Sequence, residues 1–200
     1  MTTYYLVRHG LKEAIPLDPP LTPIGIKQAE VTAHYLKDIS FEAVYCSPKL
    51  RTRQTAEIIA KPHSLSIHTD KRLIERLEWE MDKTFDEYIA EWNKTDIDRS
   101  YKPRKGMSSK ANGERMKNLL DELADSYNNG NILIVTHGGT IGDLLRSLFR
   151  EGAIEHKIDL PTGARYIDIC ECSITTIKIN EGKYELLKIG DISHLSIPLI

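Results

Sequence analysis

Short apolar segments alternate with amphipathic segments along most of the chain, and this alternation limits the possible folds more than any other feature. Residues 4–7, 43–46 and 132–135 form apolar runs with the length and composition of buried β-strands. Apolar side chains spaced three and four residues apart follow these runs, which predicts helices that each bury one face. Strands that are apolar throughout favour a parallel sheet covered on both sides. The sequence therefore predicts an α/β fold, a three-layer αβα sandwich around a mainly parallel sheet.

Residues 76–111 interrupt the alternation and predict a small helical cap inserted into this fold. Thr84 and Glu87 have the spacing of a capping box, and an apolar stripe follows them. Residues 99–110 carry five positive charges and no acid, which predicts a loop; we expect it either to attract the anionic part of a substrate or to be simply solvated. A helix is expected over 114–127, and residues 165–189 predict two or three strands with a hairpin turn at 180–182.

Length and composition limit the class of protein. A chain of 200 residues is expected to form one domain, here 1–200 including the cap. The net charge of −2 disfavours a nucleic-acid partner. Three cysteines do not suggest a disulfide framework, and no signal peptide or membrane-spanning run is apparent, so we expect a cytoplasmic protein without a membrane partner. The sequence leaves the oligomeric state open.

Two predicted strands end in a histidine followed by glycine, as Arg8-His9-Gly10 and as His137-Gly138-Gly139. Ligands of open α/β sheets bind at the carboxyl ends of the strands, where these residues would converge. The second pair opens a helix, whose N-terminus favours an anion. The residues predict a phosphate site with a histidine nucleophile, although such a histidine can also be a hydrogen-bonded structural residue and the glycines can serve tight packing.

Further motifs in the same order make the chain similar to the histidine phosphatase superfamily, also called the phosphoglycerate mutase-like family. They are Leu6-Val-Arg-His-Gly10, Leu21-Thr-Pro-Ile-Gly25, Ser47-Pro-Lys-Leu-Arg51 with Thr52-Arg-Gln-Thr-Ala56, Leu73-Ile-Glu75 and Val135-Thr-His-Gly-Gly139. The resemblance covers nearly the whole chain. It implies the αβα fold, a small phosphorylated substrate, and a reaction without a cofactor or a metal.

The resemblance also implies a role for each matching residue. His9 would be the nucleophile that becomes phosphohistidine, and Glu75 would donate a proton to the leaving group. Arg8, Arg51 and His137 would bind the phosphoryl oxygens, a task that suits the planar guanidinium group. Two further residues, Lys12 and Gly138, are candidate substrate-binding residues.

Alternative interpretations stay open for two of these residues. Arg51 could lie on the solvated face of a helix, and Glu75 could form a surface ion pair with Arg76. The chain departs from the usual family pattern at Lys12, Ile15 and Trp79. These positions lie where the leaving group would bind, so the sequence does not identify the substrate.

The function expected from the sequence is a phosphomonoesterase that works through a phosphohistidine on His9. The first alternative is a phosphoglycerate mutase with the same chemistry, and the second is a catalytically silent module that binds a phosphorylated ligand. A metalloenzyme is disfavoured because His, Asp and Glu do not cluster at the spacing of metal ligands.

Overall fold

A computed structural model describes residues 1–127, 129–149 and 169–196, and these form a six-stranded sheet with helices on both sides. The strands are β1 (Thr2–Arg8), β2 (Ala43–Cys46), β3 (Ile67–Thr69), β4 (Asn131–Thr136), β5 (Ile174–Asn180) and β6 (Lys183–Asp191). The helices are α1 (Pro23–Leu36), α2 (Leu50–Ala60), α3 (Phe85–Ile97), α4 (Ser109–Ser126) and α5 (Gly138–Leu148). The strand order is β3-β2-β4-β1-β5-β6. The four strands from β3 to β1 are parallel, whereas β5 and β6 are antiparallel additions at one edge.

The central strand β4 shows why the sheet is covered on both faces. Its buried side chains alternate: Ile132 and Ile134 join a core that α4 and α5 cover, and Leu133 and Val135 join a second core that α1 and α2 cover. All four are fully buried. Successive strand residues point to opposite faces, so an unbroken apolar run supplies both cores. The predicted three-layer α/β fold is therefore confirmed.

Several predicted element ends also appear in the structure. The Thr22 hydroxyl accepts a hydrogen bond from the Gly25 N–H at the start of α1, and Thr84 and Glu87 form the capping box of α3. A hairpin connects β5 to β6 through Glu181 and Gly182, both with positive φ. Of the C-terminal segment predicted as strands, residues 165–168 lie outside the described residues.

The predicted start of α4 at residue 114 is wrong, because α4 begins at Ser109 and so takes up the last three residues of the predicted cap. The Ser108 hydroxyl accepts a hydrogen bond from the Ala111 N–H and caps the earlier start. Gly113, which would suggest a helix end, lies inside α4. A Cβ at this position would come within 2.3 Å of the Asp143 carbonyl oxygen, so Gly113 permits the close approach of α4 and α5.

The segment between β3 and α4 is fixed to α5 by buried charges. The Arg76 guanidinium donates to both carboxylate oxygens of Asp143, at 2.8 and 2.9 Å, and also to Asp96 of α3. Arg146 of α5 donates to the same two carboxylates. Two arginines and two aspartates thus neutralise one another in the interior, where an unpaired charge would be strongly destabilising. This cluster holds α3 against α5. The assignment of residues 1–200 to one domain stays a prediction.

Candidate active site

A cavity of about 610 Å³ opens at the carboxyl ends of β1 and β4 and brings the predicted site residues together. Its walls include Arg8, His9, Lys12, Arg51, Glu75, His137 and Gly138, which are all the residues predicted for the site. The parallel register pairs Arg8 with Thr136, so the residues that follow the two strands are neighbours. The rings of His9 and His137 consequently lie with their centroids 5.3 Å apart.

The hydrogen bonds of His9 define which ring nitrogen carries the lone pair. Nδ1 lies 2.8 Å from the carbonyl oxygen of Gly10, which can only accept, so Nδ1 carries the proton. Nε2 accepts a hydrogen bond of 3.3 Å from Nε of Arg51, which can only donate. Both contacts select the tautomer with a lone pair on Nε2.

Arg51 lies at the centre of the site and not on a solvated helix face, since only 3% of its surface is exposed. It is in the first turn of α2, and its Nη2 donates to Nδ1 of His137 at 3.2 Å and to Glu78 at 3.2 Å. Nη1 has no hydrogen-bond partner among the described residues, although the Asp18 carboxylate approaches it at 3.5 Å. Arg51 therefore connects both histidines and keeps one buried donor unsatisfied.

His137 is oriented by Arg51 on one side of its ring and by Ser47 on the other. Because Nδ1 accepts from Arg51, Nε2 carries the proton and donates to the Ser47 hydroxyl at 2.9 Å. Burial lowers the pKa of both His9 and His137 well below the ordinary value, and the Arg51 charge lowers it further. Both rings are neutral at pH 7 as a result.

Arg8 approaches the cavity from the end of β1. Its Nη2 donates to the Glu171 carboxylate at 2.6 Å and its Nη1 to the Ile169 carbonyl, while its buried Nε has no partner among the described residues. Gly138 lies beside it, and a Cβ on Gly138 would be 3.2 Å from Cδ of Arg8. The small residue at 138 thus leaves room for the arginine.

The Glu75 carboxylate lies against the N-terminus of α5. It accepts hydrogen bonds from the Gly139 N–H at 3.0 Å and from the Thr140 hydroxyl at 3.2 Å. Burial raises its pKa, against an opposing effect of Arg76, so protonation is easier than in water. The expected alternative, a surface ion pair with Arg76, is not what the structure shows, because the Arg76 guanidinium is buried with Asp143 and Asp96.

Lys12 extends along the cavity wall, where its Nζ donates to the carbonyl oxygen of Glu13. Burial lowers its pKa, and the nearby Arg51 charge acts in the same direction.

Arg99 and His194 are not among the residues that line the cavity. Arg99 donates to carbonyl oxygens near the end of α5, and the buried His194 pairs with the Thr32 hydroxyl. The basic segment thus contributes at least one residue to packing.

Sequence reasoning missed two carboxylates of the site, Glu78 and Glu171. Each pairs with one of the arginines, Glu78 with Arg51 and Glu171 with Arg8. Neither glutamate belongs to a helix-capping pattern, and neither is next in sequence to the arginine with which it pairs. Their partners are 27 and 163 positions away, so no local signal identifies them.

In the described ranges, no cluster of three or more His, Cys, Asp or Glu residues has the geometry to hold a metal ion. The helices found in these ranges are too short or too polar to cross a membrane.

Comparisons with known proteins identify the family of this chain. The family model described as "Histidine phosphatase superfamily (branch 1)" matches residues 4–192. A Yersinia pestis protein named "probable phosphoglycerate mutase GpmB" is 30% identical over 219 aligned positions, which cover 100% of this chain and 98% of that protein.

Two solved structures are similar over 98% of this chain and 100% of their own. YhfR of Bacillus stearothermophilus is 26% identical with a TM-score of 0.77. A phosphoserine phosphatase of Entamoeba histolytica, solved in complex with 3-phosphoglyceric acid, is 28% identical with a TM-score of 0.75. The match of the family model along nearly the whole chain confirms the resemblance seen in the motifs: this chain belongs to the histidine phosphatase superfamily and is an enzyme of the phosphatase and phosphoglycerate mutase-like class.

Proposed function

We propose that the protein is a phosphomonoesterase that transfers the phosphoryl group of its substrate to Nε2 of His9 and then to water. The observation that carries the proposal is the arrangement around Arg51, whose guanidinium contacts both His9 Nε2 and His137 Nδ1. A neutral imidazole with its lone pair directed at a cationic phosphate site is an activated nucleophile.

In the first step, the Nε2 lone pair attacks phosphorus, an N–P bond forms and the P–O bond to the leaving group breaks. Glu75 gives its proton to the departing oxygen and becomes a carboxylate. The proton on His9 Nδ1 stays hydrogen-bonded to the Gly10 carbonyl, which stabilises the positive charge that develops on the ring. In the second step, water attacks phosphorus, Glu75 takes its proton, and the N–P bond breaks to restore neutral His9.

Arg8, Arg51 and His137 bind the phosphoryl oxygens in both steps, with the Nε2 N–H of His137 exchanging the Ser47 hydroxyl for a phosphoryl oxygen. Arg8 Nε and Arg51 Nη1 are buried donors without a hydrogen-bond partner in the described part of the chain, so both are available to phosphoryl oxygens. Removing one donor of this kind typically lowers the rate by roughly 10²–10³-fold. Lys12 and Gly138 complete the site, the first as a cation near Arg8 and Arg51 at the phosphate end and the second by leaving space for Arg8.

The covalent intermediate gives the direct test. A P–N bond is labile in acid and stable in alkali, so brief mixing with a labelled phosphomonoester and an alkaline quench is expected to trap label on the peptide that contains His9. Acid treatment is expected to remove it. His9→Ala is expected to carry no label, whereas His137→Ala is labelled more slowly. Label on His137, or acid-stable label on a serine such as Ser47, would refute the mechanism.

A phosphoglycerate mutase is the second candidate, favoured by the name of the Yersinia pestis relative. It would use the same His9 chemistry but return the phosphoryl group to the product. Incubation with 3-phosphoglycerate and a bisphosphoglycerate primer separates the two activities. Formation of the isomer would establish a mutase, and release of free phosphate is the outcome that we expect. A silent binding module would do neither.

A further inference from the structure

The cavity that holds His9 continues along a row of aromatic side chains, Trp79, Phe85, Tyr88 and Trp92, here called the aromatic row. Successive ring centroids in this row are 5.2, 6.1 and 6.0 Å apart. Edge-on and tilted contacts at these distances form a continuous apolar surface. Trp92 is fixed at one end, because its ring lies 3.8 Å from the Arg76 guanidinium carbon. The row therefore forms an apolar wall of the cavity that also contains the phosphate site.

Apolar side chains also form the rim of the cavity, where water would favour polar ones. Ile15, Leu17 and Phe85 are each more than half exposed, at 52%, 54% and 53%, although they line the cavity. Single exposed apolar residues need no explanation, but a contiguous group around a concave site marks a binding surface. The mouth of the cavity is thus suited to an apolar group of the ligand.

The charges at the phosphate end are largely compensated within the chain. The cations of this group are Arg8, Lys12, Lys49 and Arg51, and the carboxylates that face them are Asp18, Glu78 and Glu171. Four cations and three carboxylates leave an excess of one positive charge. The two negative charges of a phosphoryl group already outnumber this single excess positive charge. A second anionic group on the same substrate would therefore lack a counterion.

Glu78 is the carboxylate placed to reject such a group. It contacts Arg51 at 3.2 Å and Lys49 at 3.5 Å, and it lines the same cavity as its sequence neighbour Trp79. The Glu171 carboxylate forms an ion pair with Arg8 in the same cavity. Like charges at such short range in a partly buried site repel strongly, because the effective dielectric constant is far below that of water.

We infer that the leaving group of the substrate is bulky, apolar and uncharged, that it packs on the aromatic row, and that Glu78 and Glu171 exclude substrates with a second anionic group. The inference rests on the proposed phosphatase chemistry and adds the chemical class of the substrate. It assigns Glu78 and the aromatic row to specificity, whereas His9, Arg51 and Glu75 carry the reaction.

Three esters with leaving alcohols of similar acidity test the inference: ethyl phosphate, 2-phenylethyl phosphate and 2-(4-carboxyphenyl)ethyl phosphate. We expect kcat/KM for the phenylethyl ester to exceed that for the ethyl ester by at least about 10-fold, since even small changes in apolar contact alter discrimination by this factor. The carboxylated ester is expected to be at least about 10-fold poorer than the phenylethyl ester, because its second charge would be unpaired.

Matched variants separate the contribution of apolar contact from that of charge repulsion. Phe85→Ala is expected to lower the phenylethyl-to-ethyl ratio at least about 3-fold by removing apolar contact. Met81→Ala is its control, since Met81 is an exposed apolar residue of the same segment that does not line the cavity.

Glu78→Gln is expected to raise the kcat/KM ratio of the carboxylated to the phenylethyl ester at least about 3-fold. Glu80→Gln removes the same charge two positions away, outside this cavity, and should leave the ratio unchanged.

The inference would be overturned if the wild type hydrolysed the three esters with kcat/KM ratios close to one. It would also be overturned if neither Phe85→Ala nor Glu78→Gln changed these ratios. The proposed function would still stand in that case, because all three esters would be hydrolysed through labelled His9. Failure of the proposed function would instead appear as loss of label and of hydrolysis with every ester. The two results are therefore distinguishable.

Discussion

At the scale of single residues, the site moves the pKa values of the proposed nucleophile, His9, and the proposed acid, Glu75, in opposite directions. Free histidine titrates at about 6.5 and free glutamic acid at about 4.3, so few unperturbed molecules would hold a neutral His9 and a protonated Glu75 together. Burial and Arg51 lower the pKa of His9, and burial raises that of Glu75. These shifts enlarge the fraction of molecules with both groups in the reactive form.

A bell-shaped pH profile on the acidic side of neutral follows for an ester with a poor leaving group. The rate is expected to fall at low pH as His9 is protonated and at higher pH as Glu75 loses its proton. Glu75→Gln should remove the alkaline limb and slow this ester by roughly 10²–10⁴-fold. The variant should affect p-nitrophenyl phosphate far less, since its leaving group needs little protonation. Equal slowing of both esters, measured as kcat/KM, would remove Glu75 from the acid role.

At the scale of elements, a buried cluster of charges fixes the segment between β3 and α4 to the core. The cluster consists of Arg76, Asp96, Asp143 and Arg146. Asp143 receives donors from three directions, because Ser109 and Asn112 of α4 also bind its carboxylate. The cluster fixes Trp92 through Arg76, and Trp92 in turn packs against Gly139 at the start of α5. The position of the cavity wall thus depends on charges that lie outside the reaction centre.

Asp143→Asn tests this dependence. Removing one charge leaves Arg76 and Arg146 incompletely paired in the interior, and breaking a buried pair costs about 3–5 kcal/mol of the free energy of unfolding. Glu30→Gln is the control, because the Lys27–Glu30 pair is more than half exposed and worth at most about 1 kcal/mol. Urea unfolding of both variants measures the difference. A loss for Asp143→Asn no larger than that of the control would contradict the structural role of the cluster.

At the scale of the whole molecule, two buried neutral histidines make stability depend on pH. The folded-state pKa values of His9 and His137 lie well below their unfolded values. Below pH ~6.5 the unfolded chain therefore binds more protons than the folded chain, and stability is lost as the pH falls. Each histidine contributes up to about 1.4 kcal/mol per pH unit in this window.

His137→Gln is expected to reduce this acid sensitivity. Between pH ~6.5 and ~5, its free energy of unfolding should fall less steeply than that of the wild type, by up to about 1.4 kcal/mol per pH unit. The control variant is His34→Gln, which removes an imidazole from the exposed surface instead of the interior. Parallel slopes for His137→Gln and the wild type would show that His137 does not stay neutral when buried. Urea titrations at several pH values give all three slopes.

Local patterns in the sequence determined much of the fold and of the proposed reaction centre. Apolar runs predicted the parallel strands, Thr22 and Thr84 marked helix starts, and the histidines after β1 and β4 were placed at one edge of the sheet. Such features depend on neighbours within about four positions or on the general rule that strand ends carry the ligand site, so a single sequence displays them. The family motifs then supplied Arg51 and Glu75, which no local pattern would have selected.

Only the tertiary structure decided the features that depend on distant partners. The close approach of α4 to Asp143 of α5 depends on Gly113, and the pairing of Arg76 with Asp143 joins residues 67 positions apart. The contacts of Glu78 and Glu171 with the arginines are of the same kind. Hydrogen bonds and ion pairs act over a few ångströms in space whatever the distance along the chain, and a charged residue in a sequence does not show which partner the fold brings to it.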